Sequence, residues 1–226
     1  MNIEKNLIRL RERIERAAQR AGRNPEEIQL VVVTKTVGTD KIHQAIECGV
    51  SKLGENRVHE ASAKQSEIGR SIEWHMVGHL QSRKAKEAVK VFDMVQSVES
   101  ISTARALQKR CTETDSLMPV LIEVNTSGEE QKYGVSPDDA EPLIYEVAGM
   151  HNVRIRGLMT MAALVADPEE ARPSFRRLRE LAERLREKDI EGAHFDILSM
   201  GMSDDFEVAI EEGSTMLRIG TAVFAE

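Results

Sequence analysis

Residues 198–221 contain hydroxyl side chains, glycines and the predicted start of a helix, in an order that suits the binding of an anion. The relevant positions are Ser199, Gly201, Ser203, Gly220 and Thr221. Glycine lets the backbone approach a ligand closely, and the hydroxyl groups can donate hydrogen bonds. A helix that begins near residues 204 and 205 would direct unpaired backbone N–H groups at the same place. This stretch therefore predicts a cradle for a phosphate group.

A lysine far upstream supplies a second chemical group. Lys35 follows the apolar run 30–34, which is typical of a buried strand. Partial burial favours the neutral, nucleophilic form of an amine, and a neutral amine condenses with an aldehyde to give a Schiff base. Lys35 and the cradle together indicate a phosphorylated carbonyl compound that is held at both ends.

Two further residues would contact the body of such a ligand. Arg218 comes two residues before Gly220. If the ligand has a pyridine ring, the guanidinium would donate to the ring nitrogen and leave the ring unprotonated. An unprotonated ring is a poor electron sink, which weakens carbanion chemistry. Asn56 has two interpretations, a hydrogen bond to a phenolate oxygen or a cap on the following helix.

The elements that must position these residues alternate regularly. Apolar runs separated by helical patterns predict eight strands, at 30–35, 52–55, 72–77, 92–98, 119–125, 153–160, 195–200 and 216–219. Such alternation predicts parallel strands, and eight repeats predict an α/β fold, a single (β/α)8 barrel of the TIM type. The alternative is an open doubly wound sheet, but no glycine-rich dinucleotide motif follows the first run.

An additional helix precedes the barrel. Apolar residues recur every three or four positions from Ile3 to Ala21, and Gly22 with Asn24-Pro25 ends the pattern. We expect residues 1–24 to form a helix and turn packed on the barrel, and residues 1–226 to form one domain. Ligand chemistry in such barrels collects at the C-terminal ends of the strands, where the residues described above lie.

Composition excludes several classes of function. The net charge is −7 and no basic cluster is present, which argues against a nucleic-acid partner. No apolar run approaches membrane-spanning length, and the start of the chain lacks the apolar core of a secretion signal. Cys48 and Cys111 lack metal-ligand spacing. His75 and His79 also lack partners for a metal and are interpreted as substrate-facing or packing residues. We expect a cytoplasmic protein without a metal.

Six motifs are similar to those of the pyridoxal 5′-phosphate (PLP) homeostasis protein family. They are VVVTKT at 31–36, GEN at 54–56, WHMVGHLQ at 74–81, RGLM at 156–159, LSMGMSDD at 198–205 and GSTMLRIGT at 213–221. The family resembles the barrel domain of alanine racemase, a PLP protein of fold type III, without the second domain. The motifs follow one another in order over nearly the whole chain.

The resemblance implies a role for each candidate residue. Lys35 forms the Schiff base with PLP, Arg218 faces the pyridine nitrogen and Asn56 lies by the ring. Ser203 holds the phosphate together with the backbone of Gly220 and Thr221, and Ser199 lies near the phosphate side. Members of the family bind the cofactor without an established catalytic reaction and influence vitamin B6 balance.

We therefore expect a PLP carrier or buffer with no catalytic residues, which supplies apo PLP-enzymes through transient contacts and works as a monomer. The alternative is a PLP-dependent amino-acid racemase, in which Tyr133 would be the second acid–base group. Weak racemase activity is compatible with the motifs. A Schiff-base aldolase acting on a sugar phosphate would use the same lysine and cradle, but the purified protein would be colourless.

Overall fold

Eight parallel strands form a closed barrel in the computed structural model, which describes residues 2–129 and 131–225. Each strand pairs with the next along the chain, and the last pairs with the first. The strands are β1 (Gln29–Val33), β2 (Lys52–Glu55), β3 (Glu73–Met76), β4 (Met94–Val98), β5 (Met118–Glu123), β6 (Val153–Met159), β7 (Ala193–Ser199) and β8 (Met216–Ile219). The predicted (β/α)8 barrel is confirmed.

Nine α-helices in the described residues surround this barrel. They are α1 (Ile3–Arg20), α2 (Thr39–Glu47), α3 (Val58–Ile68), α4 (Ala85–Val91), α5 (Ile101–Glu113), α6 (Ala140–Ala148), α7 (Arg172–Glu187), α8 (Phe206–Glu211) and α9 (Thr221–Phe224). Short 3₁₀ helices lie at Pro25–Glu27, Ser82–Lys84 and Pro168–Ala171. None of the helices in the part of the chain that the structure describes has both the length and the apolar character to span a bilayer.

The predicted N-terminal helix is confirmed as α1, which packs beside α8 and α9. The residues of its apolar face are buried: Ile3, Leu7, Leu10, Ile14, Ala17 and Ala18. Asn2 caps the first turn with its side-chain oxygen. The Asn6 side chain donates to the carbonyls of Val223 and Ala225, at 3.1 and 3.0 Å. The helix therefore ties the beginning of the chain to its end.

The barrel interior holds a small apolar core that is separate from the main core. Its members are Val31, Val77, Met94, Leu121, Met159, Ile197 and Met216. Successive side chains of a strand face opposite sides of the sheet. In β3, Trp74 accordingly packs in the outer core between sheet and helices, whereas His75 lies among the interior side chains. The interior thus combines an apolar layer with buried polar groups.

The first strand ends two residues earlier than predicted. The chain leaves β1 after Val33, and Lys35 and Thr36 form a turn. Thr36 has a φ of +61°, a left-handed conformation that is rare for a β-branched residue. Its hydroxyl donates to the carbonyl of Lys35 at 2.6 Å. Lys35 therefore lies on a turn above the barrel wall and not within a strand.

A side chain at position 157 would collide with the neighbouring strand, because a Cβ added to Gly157 would lie 1.9 Å from the carbonyl oxygen of Ile197. We expect Gly157→Ala to lower the free energy of unfolding by about 2–3 kcal/mol, since β6 and β7 must move apart. Gly38→Ala is the matched control, because a Cβ there meets no atom within 4 Å. Urea unfolding followed by circular dichroism measures both, and equal losses would contradict this account.

Candidate functional site

A cavity of about 590 Å³ opens at the C-terminal ends of the strands. Its lining contains six of the seven residues named from the sequence: Lys35, Asn56, Ser203, Arg218, Gly220 and Thr221. They come from β8 and from the segments that follow β1, β2, β7 and β8. The volume lies within the range of small-molecule sites. Closure of the barrel therefore brings these six residues to one place.

Lys35 reaches the cavity from the turn after β1 and is exposed. The expectation of a partly buried lysine is wrong, because the strand ends at Val33. The preceding residue, Thr34, is buried and held on two sides. Its hydroxyl donates to Oε1 of Glu55 at 2.7 Å, and its carbonyl accepts from Nζ of Lys64 at 2.7 Å. The base of the turn is therefore fixed, while the lysine amine stays accessible.

Arg218 lines the inner end of the cavity and is almost fully buried. Its Nη1 donates to the hydroxyl of Ser199 at 2.6 Å, and its Nη2 donates to the carbonyl of Thr160 at 2.8 Å. Burial lowers the pKa of Arg218 to about 10, against the opposing charges of Glu123 and Asp205. The guanidinium is therefore a charged donor at neutral pH, held in place by two hydrogen bonds.

Ser199 is the one candidate that does not line this cavity. Its side chain is fully buried, accepts from Arg218 and donates to Oε1 of Gln96 at 2.6 Å. A hydroxyl that is engaged on both sides within the barrel has no free donor for a phosphate. Ser199 therefore contacts the site through Arg218, and its expected place near the phosphate side stays a prediction.

The predicted anion cradle consists of the turn after β7 and the start of α9, which are joined to each other. The Ser203 hydroxyl accepts from the amide of Ala222 at 3.1 Å. Within the described part of the chain, the amides of Ser203, Asp204 and Thr221 have no hydrogen-bond acceptor. All three residues line the cavity. These N–H groups and the two hydroxyls of Ser203 and Thr221 are the donors that an anion such as phosphate needs.

The helix after β7 begins at least one residue later than expected, and Asp205 does not cap it. α8 starts at Phe206, and the Asp205 side chain accepts from the amide of Met202 at 2.6 Å without capping the helix. Burial raises the pKa of Asp205. Gly201 has a φ of +97°, and a Cβ there would lie 2.7 Å from Cβ of Ala209. Only glycine fits this turn without displacing α8.

Asn56 lies on the cavity wall, and its interpretation as a helix cap is wrong. The cap position of α3 is held by Arg57, and no side chain caps that helix. The backbone of Asn56 is pressed against Gly78, because a Cβ on Gly78 would lie 2.7 Å from the Asn56 carbonyl oxygen. Asn56 is therefore held at the cavity wall by the close packing of its backbone against Gly78.

A pair of stacked rings forms another wall of the cavity. The ring centroids of His79 and Tyr133 lie 4.3 Å apart, and both residues line the cavity. Nδ1 of His79 is 2.8 Å from Oε1 of Glu99, although the contact lacks hydrogen-bond geometry. Oε2 of Glu99 accepts from the amide of Gly134 at 2.7 Å and so fixes the loop that carries Tyr133. Sequence reasoning assigned no role to Glu99, which directly follows β4.

The two histidines do not share a metal site. His75 is buried in the barrel interior and His79 lies at the cavity wall. Across residues 2–129 and 131–225, no group of three or more His, Cys, Asp or Glu side chains is arranged to hold a metal ion. The cavity therefore offers an amine, a guanidinium, an amide and backbone donors.

Glu123 is a buried acid in the barrel that sequence reasoning missed. Burial raises the pKa of Glu123 to about 7, the charge of Glu99 adds to this shift and Arg218 opposes it. The sequence did contain a signal for it, because Glu123 is an acidic residue at the end of an otherwise apolar strand. That strand pairs with a neighbour on each side in the barrel.

We expect Glu123 to make folding less favourable as the pH rises from about 5 to about 8. An unfolded Glu titrates near pH 4.3. Because the folded pKa is higher, the folded protein holds an extra proton, whose stabilisation is complete below pH 4 and lost as the pH passes about 7. Between pH 5 and pH 8, the change in the free energy of unfolding should therefore be smaller in Glu123→Gln than in the wild-type protein, by up to about 3 kcal/mol. Urea unfolding at several pH values measures this, and parallel profiles would refute it.

Known proteins share this barrel over its full length. Residues 6–226 match the family described as alanine racemase, N-terminal domain. The pyridoxal phosphate homeostasis protein of Aquifex aeolicus is 42% identical, over 100% of this chain and 99% of that protein. PipY of Synechococcus elongatus, solved with PLP bound, is 32% identical with a TM-score of 0.86, over 99% of this chain and 100% of PipY.

A more distant structure shares the fold alone. Alanine racemase of Clostridium difficile has a TM-score of 0.78 at 15% identity, over 100% of this chain and 56% of that enzyme. The full-length similarity to the relative from Aquifex aeolicus is much stronger than this. The chain therefore belongs to the pyridoxal phosphate homeostasis protein family, within the larger group that shares the alanine racemase N-terminal domain.

Proposed function

We propose that the protein binds PLP in the cavity above the barrel and takes part in PLP homeostasis as a carrier or buffer. The observation that carries this proposal is that Lys35, Arg218 and the unpaired donors around Ser203 and Thr221 line one cavity. The homeostasis name of the relatives and the PLP in the PipY structure support it.

The residues of the cavity fit the chemical groups of PLP. The amides and hydroxyls of Ser203 and Thr221 suit a phosphate, and the amide of Gly220 lies beside them. Arg218, charged at neutral pH, suits the pyridine nitrogen, and Asn56 on the wall suits the phenolate oxygen. Lys35 supplies the amine. When bound, the aldehyde of PLP provides an electrophile whose carbon forms a C=N bond to a lysine nitrogen with release of water.

We further propose that the protein holds this ligand without transforming it. Arg218 keeps its proton at neutral pH, because its pKa of about 10 lies well above that range. It can therefore donate a hydrogen bond to the ring nitrogen but not a proton. A ring that stays unprotonated withdraws electrons poorly from a neighbouring carbon. This arrangement favours retention of the ligand over carbanion chemistry.

Release to other proteins would use the open mouth of the cavity. Lys35 is exposed, and Leu164 at the rim is 89% exposed. We propose transient contacts with apo PLP-enzymes at this mouth, made by a monomer whose residues 1–226 form a single domain. A cytoplasmic setting is in keeping with Cys48 and Cys111, which are both free thiols.

We expect the purified protein to take up PLP with a visible absorption band, and borohydride to fix PLP on Lys35. Lys35→Ala should lose the fixed adduct, as measured by intact mass and peptide mapping. Lys86→Ala is the matched control, because Lys86 is an exposed lysine that does not line the cavity. Fixation of PLP at an unchanged level in Lys35→Ala, or no uptake by the wild-type protein, would overturn the proposal.

A racemase is the competing function, and one observation favours it: Tyr133 and Lys35 line the same cavity. We expect the PLP-loaded protein to convert no L-amino acid to its D-form in chiral chromatography, but to restore activity to an apo-transaminase. Loss of an acid–base residue typically costs about 10²–10⁴-fold in rate. Steady racemisation that falls by this factor in Tyr133→Phe would therefore replace the carrier proposal.

A further inference from the structure

A row of polar side chains crosses the barrel interior from the cavity to the opposite end. It is continuous through five side-chain contacts and passes from β8 through β7, β4 and β3 to β2. The contacts are Arg218 Nη1 to Ser199 Oγ (2.6 Å), Ser199 Oγ to Gln96 Oε1 (2.6 Å), Gln96 Nε2 to His75 Nδ1 (2.7 Å), His75 Nε2 to Glu73 Oε1 (2.7 Å), and Lys52 Nζ to Glu73 Oε2. We call this row the polar relay.

The donor and acceptor atoms that face each other set the direction of each hydrogen bond in the polar relay. A guanidinium has only donors, so the Ser199 oxygen accepts from Arg218 and its own proton goes to Gln96 Oε1. The amide nitrogen of Gln96 then faces His75 and donates to Nδ1. The second N–H of this amide has an acceptor as well, because Nε2 lies 3.2 Å from the sulfur of Met216.

The hydrogen bonds of His75 also determine its tautomer. Nδ1 accepts from Gln96, so Nε2 carries the ring proton and donates it to the Glu73 carboxylate. Hydrogen bonding from His75, aided by Lys52 and opposed by partial burial, lowers the pKa of Glu73 to about 2. The polar relay therefore has a cation at each end, Arg218 and Lys52, and each N–H or O–H along it points towards the Glu73 carboxylate.

Burial makes the members of the polar relay depend on one another. The side chains of Ser199, Gln96 and His75 are fully buried, and Arg218 is 4% exposed. No water competes for a hydroxyl or amide inside a dry core, so a missing acceptor leaves its donor without any partner. Loss of Gln96 would leave the Ser199 proton unpaired, and Ser199 would then turn away from Arg218 to find another acceptor.

We propose that Gln96 and His75 are positioning residues for Arg218, and that they fix the direction of its guanidinium towards the cavity through Ser199. This inference rests on the proposed function, because it assigns Arg218 to the ring of a bound PLP. It adds residues that lie outside the cavity lining. The affinity and the spectrum of the bound ligand should then depend on side chains that do not touch it.

The first test needs no ligand. Nitrogen chemical shifts of the imidazole in the protein without added PLP should show His75 as the Nε2–H tautomer at pH 7. An Nδ1–H tautomer in the wild-type protein would overturn the polar relay whether or not PLP binds.

The second test uses PLP. Gln96→Leu should raise the Kd for PLP about tenfold and shift the visible band of the bound ligand. Gln65→Leu is the matched control: its side-chain amide also donates a 2.7 Å hydrogen bond, to the carbonyl of Val91, but makes no contact with the polar relay. That variant should lose stability and keep both the affinity and the spectrum of the wild-type protein.

A double-mutant cycle decides whether Gln96 acts through Ser199. The PLP affinity of Ser199→Ala/Gln96→Leu should equal that of whichever single variant binds PLP less tightly. Either change alone already breaks the connection between Gln96 and Arg218. Additive losses, or a folded Gln96→Leu protein with unchanged affinity and spectrum, would overturn the positioning role. Failure of the wild-type protein to bind PLP would overturn the proposed function instead. The tautomer test is done without PLP, so its result would still decide whether the polar relay exists.

Discussion

The backbone ladder between β1 and β8 is the contact on which the candidate site depends. Val31 pairs with Arg218 and Val32 pairs with Ile219, so the first and the last strand run side by side. The turn that carries Lys35 is therefore placed next to the donors that follow β8. Helix α1 reinforces this closure, because its apolar face is buried and Asn6 binds the carbonyls near the end of the chain. A local change that opened this ladder would separate the amine from the anion cradle.

The barrel interior contains both an apolar layer and buried polar side chains. Ser199, Gln96, His75, Glu123 and Arg218 are buried beside its apolar layer. Electrostatic interactions and hydrogen bonds are stronger in such a setting, and unpaired groups are correspondingly costly, at about 1–3 kcal/mol each. The polar side chains must therefore be complete as a set, which gives residues far from the cavity an influence on the group at its inner end.

The repeating pattern of strands and helices could be predicted from the sequence because each buried strand leaves a local apolar signal. The six cavity-lining residues could be predicted too, since strand ends of a parallel barrel meet on one side. The exposure of Lys35 could not, because it depends on the left-handed Thr36 turn. The burial of Ser199 and the contact from Ser199 to Gln96 were also out of reach, since they join strands on different sides of the barrel and leave no trace in local spacing.

The accessible position of Lys35 has a consequence for how long a ligand stays. A covalent link at an exposed site is open to water and to competing amines, so the link by itself does not set the dwell time of the ligand. Departure of PLP from the proposed complex would also require its phosphate to leave the donors around Ser203 and its ring to leave Arg218, which lies deep in the cavity. In the proposed complex, the donors at the buried end would govern retention, and the exposed Lys35 would govern exchange of the covalent link, so that different residues would set the two rates.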